Sequence, residues 1–254
     1  KNQFLRRLAS IVGGRRKFYI LLIMRKINAV NWVATLLCAW LLASCSAPRI
    51  AVRENRLNIP RGTVTIDASA EDWGDARLLS TLTSAHDRTT RDGTRVALCY
   101  DDEKLYFLFE VADSDLVMEA VENERRIGGQ DRVELFFSSD RKMSFYCGAE
   151  MGEAGVLDHG GTFYRKSSMD WNFKTLQYEI ERTEEGYLAE GSFDLAELRE
   201  LDLIGRNGRI YLGIFRGDKP ADGGRFRWFS WVVSERQERP DFHHPYAQGV
   251  AYLR

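Results

Sequence analysis

The sequence predicts an all-β fold, an antiparallel β-sandwich or jelly roll with one or two short helices. Three observations carry this. Short runs rich in Val, Ile, Phe, Tyr and Trp recur from Thr63 onward, Gly and Asp turns separate them, and helical periodicity is scarce. Val96, Leu98 and Tyr100 alternate, as do Leu105, Phe107, Phe109 and Val111. The acidic turn Asp101-Asp102-Glu103 lies between them, so residues 95–111 read as a β-hairpin. Further strands are expected over Arg132–Ser138, Met143–Cys147, Leu176–Glu181, Tyr187–Phe193, Arg209–Arg216, Phe226–Val233 and Val250–Leu253. Glu184-Glu185-Gly186 and Asn207-Gly208 supply turns. Glu71–Leu79 and Leu195–Leu201 have room for two helical turns each.

The 254 residues are 44% hydrophobic, 29% charged and 12% aromatic, which argues against wholesale disorder and against a polytopic membrane protein. A net charge of −1 conceals a split. Residues 1–44 hold eight Lys or Arg and no acid, so the other 210 carry 28 basic and 37 acidic residues. An acidic body offers no field for a phosphate backbone, and no nucleic-acid partner is expected.

The amino end reads as an address. Arg25 and Lys26 form a positive region, and Ala29 to Leu42 is apolar apart from Asn31 and Thr35, too short to span a bilayer comfortably. The run ends in Leu42-Ala43-Ser44-Cys45, which resembles the lipobox of bacterial lipoproteins, with Cys45 as the lipidated residue. The resulting division has residues 1–23 as upstream sequence before a start at Met24, 24–44 as signal peptide, 45–62 as lipidated Cys and tether, and 63–254 as the body. Ser46 gives no inner-membrane retention cue, so the expected location is the bacterial cell envelope, anchored by lipid at the outer membrane. The body's remaining cysteines, Cys99 and Cys147, permit one disulfide but sit in apolar runs that suit buried thiols.

Enzyme signatures are absent: there is no Gly-x-Ser-x-Gly, HExxH, Walker loop or strand-borne GxGxxG. His86 and His159 read as solvated loop residues, while the adjacent His243 and His244 would face opposite sides of a strand. Asp113 and Asp115 could offer oxygens to a structural calcium, or form a solvated acidic turn. No other cofactor is expected. The aromatic content points elsewhere, because the apolar face of a pyranose packs on an open ring while carboxylates, amides and Arg take its hydroxyls. Trp73, Trp171, Trp228 and Trp231 lie in the body, and Trp228 and Trp231 have opposite parity, so a regular strand cannot turn both inward.

Five segments in order resemble the family 9 carbohydrate-binding module. They are Ile66-Asp67 with Glu71-Asp72-Trp73; Val96 to Tyr106 with Val111-Ala112-Asp113; Gln130-Asp131-Arg132-Val133-Glu134-Leu135-Phe136; Gly186-Tyr187-Leu188-Ala189-Glu190 with Phe193-Asp194-Leu195; and Phe229-Ser230-Trp231 with Pro240-Asp241-Phe242-His243-His244-Pro245 and Gly249. The resemblance implies a saccharide-binding jelly roll that often works beside glycan-degrading enzymes, with calcium in some members. It places Glu134 as an acceptor of sugar hydroxyls and Phe242 as an aromatic platform. The family's second platform Trp falls at Gly128 here, and a family Arg falls at Tyr146. Trp231, Trp171, Tyr146 and Arg216 are therefore further candidates for sugar contact, and Asp131 is either a site residue or a structural turn acid. The expected function is a lipid-anchored, non-catalytic carbohydrate-binding protein with an oligo- or polysaccharide as partner. A glycoside hydrolase and a purely structural or adhesive sandwich are the alternatives.

Overall fold

The computed structural model describes residues 55–76, 82–119, 124–163 and 166–254. Two sheets pack face to face. The larger has the order β1 (Arg56–Ile59), β13 (Gly249–Leu253), β11 (Arg209–Asp218), β5 (Arg132–Ser138), β6 (Tyr146–Gly152), β7 (Gly155–Thr162) and β8 (Lys166–Ser168). β12 (Arg227–Ser230) extends the edge of β11 beyond β13, and β2 (Thr83–Ser84) pairs with β12. The smaller sheet is β3 (Arg95–Tyr100), β4 (Lys104–Ala112), β10 (Gly186–Asp194) and β9 (Gln177–Arg182). All pairings are antiparallel except β1 with β13. One short α-helix, α1 (Leu195–Glu200), follows β10.

The period of two along each strand decides what faces inward. Val133, Leu135 and Phe137 of β5, with Cys147, Ala149 and Met151 of β6, meet Val96 and Leu98 of β3 and Phe107, Phe109 and Val111 of β4 in one core. Phe193 of β10 joins the layers, with ring centroids 5.1 Å from Phe137 and 5.7 Å from Phe107. On the other face of the small sheet, residues 64–70 and Trp73 cover Ala97, Cys99, Tyr106 and Leu108. Glu190 latches that cover: it accepts from Trp73 Nε1 at 2.6 Å and from the backbone N–H groups of Asp67 and Ala68.

The predicted hairpin at 95–111 is β3 and β4, and the strand expected at Arg132–Ser138 has those bounds. Three readings need correction. Arg56–Ile59 lies in the expected tether yet forms β1, pairing along Val250–Leu253. β6 begins at Tyr146 rather than Met143, whose φ of 54° interrupts extended chain. β7, Gly-Val-Leu-Asp-His-Gly-Gly-Thr, was not foreseen, because Gly, Asp and His disfavour strands in isolation. Its glycines make room for neighbours: a Cβ on Gly160 would lie 2.7 Å from the Trp171 ring. Cys99 and Cys147 are buried, separate thiols, in the cover cluster and the central core respectively. Cys45, the signal segment and the upstream stretch lie outside the described residues.

Candidate functional site

Alternation that buries Val133, Leu135 and Phe137 turns Arg132, Glu134 and Phe136 to the outer face of the large sheet. The register sets Glu134 opposite Glu150 on β6 and Phe215 on β11, with Trp228 of β12 beside Gly217. The segment Pro240–Ala247 folds over part of this face. Phe242 stacks on Phe215 with centroids 4.0 Å apart, and Trp228 meets Phe242 edge-on at 5.1 Å. A groove of about 290 Å³ remains, lined by Gly128, Arg132, Glu134, Glu150, Trp228, Phe242 and their neighbours.

Arg132 organises the floor. Its Nε–H donates to Glu150 Oε2 at 2.8 Å, and Nη1 donates to the carbonyls of Gly128 and Gln130 at 2.9 and 3.2 Å. The guanidinium carbon lies 5.1 Å from the Trp228 ring and 5.3 Å from that of Phe226, which itself stacks on Trp228. Gly217 makes this possible, since a Cβ there would sit 2.8 Å from Arg132 Nη1. Glu134 Oε1 is 2.9 Å from the same Nε, but the single Nε–H is directed at Glu150. Glu134 Oε1 thus lies beside the guanidinium without a hydrogen-bond partner among the described residues, although the residue is only 1% exposed. A buried acceptor left in this condition is costly unless a donor arrives from outside the chain.

The two carboxyls differ sharply. Burial, reinforced by the charge of Glu150, pushes Glu134 up to about 8 against the pull of Arg132. Burial also acts to raise Glu150, but His159, 3.5 Å away, and the charge of Arg132 outweigh it and bring the carboxyl down to about 2.

Glu134 and Phe242 therefore share one groove, but Phe242 is a buried wall rather than an open platform; the partly exposed ring at the groove is Trp228. Several other expectations are corrected. Tyr146 is fully buried and its hydroxyl meets His243 Nδ1 at 2.9 Å. Trp171 packs on Gly160 and Phe173, and Trp231 packs against Gly249; both rings are partly buried at the core edge and lie outside the groove lining. Arg216 points to the opposite face from Glu134, because its partner in the register is Val133. There it is held by Asp113 at 2.6 Å, Asp92 at 3.2 Å and Asp218 at 3.7 Å. Asp131 is the structural turn acid: its two oxygens accept the N–H groups of Val117 and Lys219, and burial pushes its carboxyl up to about 6.

Calcium does not fit Asp113 and Asp115 as arranged. Oxygens of Asp113, Asp131 and Asp218 converge within 4.8 Å, but the Arg216 guanidinium already supplies positive charge to Asp113 and Asp218, and each Asp131 oxygen accepts a backbone N–H. Asp115 borders this group: its backbone N–H donates to Asp113 Oδ1, and its carboxylate accepts from Ala221 N–H and shares Arg227 with Asp218. His159 is also corrected: it is fully buried on β7, not in a solvated loop. Sequence reasoning missed Arg132 and Glu150. The Arg132-x-Glu134 spacing does put two ionic groups on one strand face, but only the pairing with β6 shows that a third joins them.

A family model for the carbohydrate family 9 binding domain-like group matches residues 66–254. The chain belongs to this family. No curated protein sequence matches it. Among solved structures, this family 9 domain is similar to a candidate carbohydrate-binding protein from Bacteroides uniformis, at 14% identity and a TM-score of 0.63, covering 80% of this chain and 100% of the other. It is also similar to a family 9 carbohydrate-binding module from Caldicellulosiruptor kristjanssonii solved with glucose, at 17% identity and a TM-score of 0.53 over 78% of this chain and 95% of that one. The cellotriose complex of a family 9 module from that organism gives 16% identity and a TM-score of 0.54, covering 78% and 93%. At such identities the likeness establishes the β-sandwich fold.

Proposed function

We propose that this family 9 domain is a non-catalytic saccharide-binding module, tethered to the bacterial envelope through lipid on Cys45, that captures oligo- or polysaccharide fragments for glycan-degrading partners. The observation that carries the binding site is the Glu134 Oε1 acceptor, buried without a hydrogen-bond donor at the floor of a groove walled by the partly exposed Trp228 indole. A pyranose packed against the exposed part of the Trp228 indole would present hydroxyls to Glu134, and the Arg132 guanidinium supplies fixed positive charge beneath them. The neighbours bound to glucose and cellotriose make β-glucans the first ligands to test. An affinity between micromolar and millimolar, roughly −4 to −8 kcal/mol, suits so shallow a groove.

One feature favours the hydrolase alternative: two carboxyls with protonation tendencies pushed far apart, the pattern of an acid and base pair. Their placement supports binding instead. Glu134 and Glu150 are directly opposite on adjacent strands and both contact the same Arg132 nitrogen, whereas a glycosidase sets its carboxyls on either side of the scissile bond.

Calorimetric titration of glucose, cello-oligosaccharides and a panel of soluble glycans into the wild type, Trp228→Ala and Glu134→Ala tests the reading. Binding that both variants weaken by about tenfold or more supports it. Silence across the panel, or unchanged affinity in both variants, removes the groove as the site, and release of reducing sugar by the isolated chain would make the protein an enzyme. Loss of radiolabelled palmitate on Cys45→Ser tests the anchor.

A further inference from the structure

At one side of the groove, whose lining includes Glu150 and His243, the same sheet face brings together three residues to which the saccharide reading gives no contact with sugar. Glu150 comes from β6, His159 from β7 and His243 from the covering segment, and one potential ligand atom from each lies within 4.8 Å of the others. We infer that Glu150, His159 and His243 form a binding site for a divalent transition-metal ion, zinc being the best fit.

The donor set selects the metal. Two imidazoles and one carboxylate suit zinc and its first-row neighbours, whereas calcium takes six to eight oxygens and magnesium an octahedron of them. Glu150 Oε1 and His159 Nε2 are 3.5 Å apart, close to the edge of roughly 3.4 Å in a tetrahedron with bonds of about 2.05 Å. All three ligand atoms lie within 4.8 Å of one another, and a tetrahedral ion held by them has its fourth position left for water.

The surroundings hold these ligands as metal sites hold theirs. His243 Nδ1 is 2.9 Å from the Tyr146 hydroxyl, a contact that orients the imidazole as outer-shell partners orient metal-bound histidines. Glu150 Oε2 is fixed by Arg132, which leaves Oε1 toward His159. His159 is fully buried, and neither ring nitrogen has a hydrogen bond of good geometry. Phe136 walls both imidazoles, with centroids 5.0 Å from each. Gly148, opposite His159, keeps the space open, since a Cβ there would lie 2.7 Å from the His159 ring. Without an ion, the cluster is a buried carboxylate beside two imidazoles, of which His159 has no other polar partner among the described residues.

The test uses the full chain without an affinity tag, stripped with chelator and titrated with zinc in the absence of sugar, so that it stands apart from any saccharide result. One equivalent should bind, and cobalt in its place should give the intense visible absorption of a four-coordinate ion. His159→Gln and His243→Gln should each weaken zinc by more than ~100-fold, beyond what outer-shell changes cost. Zinc uptake well below one equivalent by the wild type would overturn the assignment with no variant needed. So would undiminished uptake by the His159→Gln/His243→Gln double variant, or uptake that follows His86 or His244 instead.

Discussion

Glu134 and Glu150 face each other across β5 and β6 and share one nitrogen of Arg132, 2.9 Å from the first and 2.8 Å from the second. The single hydrogen on that nitrogen serves only Glu150. This asymmetry leaves Glu134 Oε1 available to a ligand while Glu150 is tied to the guanidinium.

Removing the shared cation should therefore be severe. Arg132→Met leaves two buried carboxyls against each other, and such a change typically costs about 3–5 kcal/mol. Denaturant unfolding of the variant near neutral pH should show this loss, whereas a cost within ~1 kcal/mol would mean that water reaches the floor and replaces the guanidinium.

Stability should fall as pH rises, because these acids bind protons more tightly folded than unfolded. Glu134 moves from its ordinary value near 4.5 up to about 8, and Asp131 and Asp158 move from 3.8 up to about 6, burial being the leading cause in each. Their contribution is complete below the unfolded values and is lost as pH climbs through the folded ones. Melting temperatures should decline from about pH 4 to pH 8, and Glu134→Gln should flatten the upper part of that decline. A parallel decline in the variant would assign the upper window to another group.

Restoring the missing ring should tighten sugar binding. Gly128 lines the groove, and a Cβ there would find only Glu150 Oε2, at 4.0 Å. Gly128→Trp should add a second aromatic surface worth roughly 0.5–1.5 kcal/mol beyond area burial, or about 2–12-fold in affinity. Weaker binding by titration would show that the indole blocks the groove instead of lining it.

Phe242 and Trp228 should separate stability from recognition. Phe242 is stacked on Phe215 and buried, so Phe242→Ala should cost about 3–5 kcal/mol in unfolding free energy. Trp228→Ala should act first on affinity, with a smaller effect on unfolding. Equal losses of stability in both would make Trp228 a core residue.

Glu190 should matter to the fold and leave the groove alone. It ties Trp73 and residues 67–68 onto the small sheet, on the far side of the sandwich from Arg132. Glu190→Ala strands three donors, and at roughly 1–3 kcal/mol for each buried group left unsatisfied it should lower the melting temperature while sugar affinity stays unchanged.

Much of the scaffold was legible because its strands obey a period of two. The hairpin at β3 and β4 and the run at β5 announce themselves by alternation, and the family segments follow in chain order. Less legible was β7, whose Gly160 and Gly161 carry no strand signal and whose partner Gly148 is small to admit the His159 and Phe136 rings. Arg216 misled for a related reason. Its charge reads as surface chemistry, but one step of register turns it inward to three aspartates.

By itself, the chain's order of side chains determined the sandwich and the acidic character of its body, since alternation and composition are local properties, while the resemblance to family 9 singled out Glu134. Tertiary structure alone decided what surrounds Glu134. Arg132, Glu150, Trp228, Phe242, His159 and His243 come from four strands and a covering segment, and their meeting depends on register between strands distant in sequence. A hydrogen on one nitrogen, and the few ångströms between a carboxylate and an imidazole, are set only once those strands have paired.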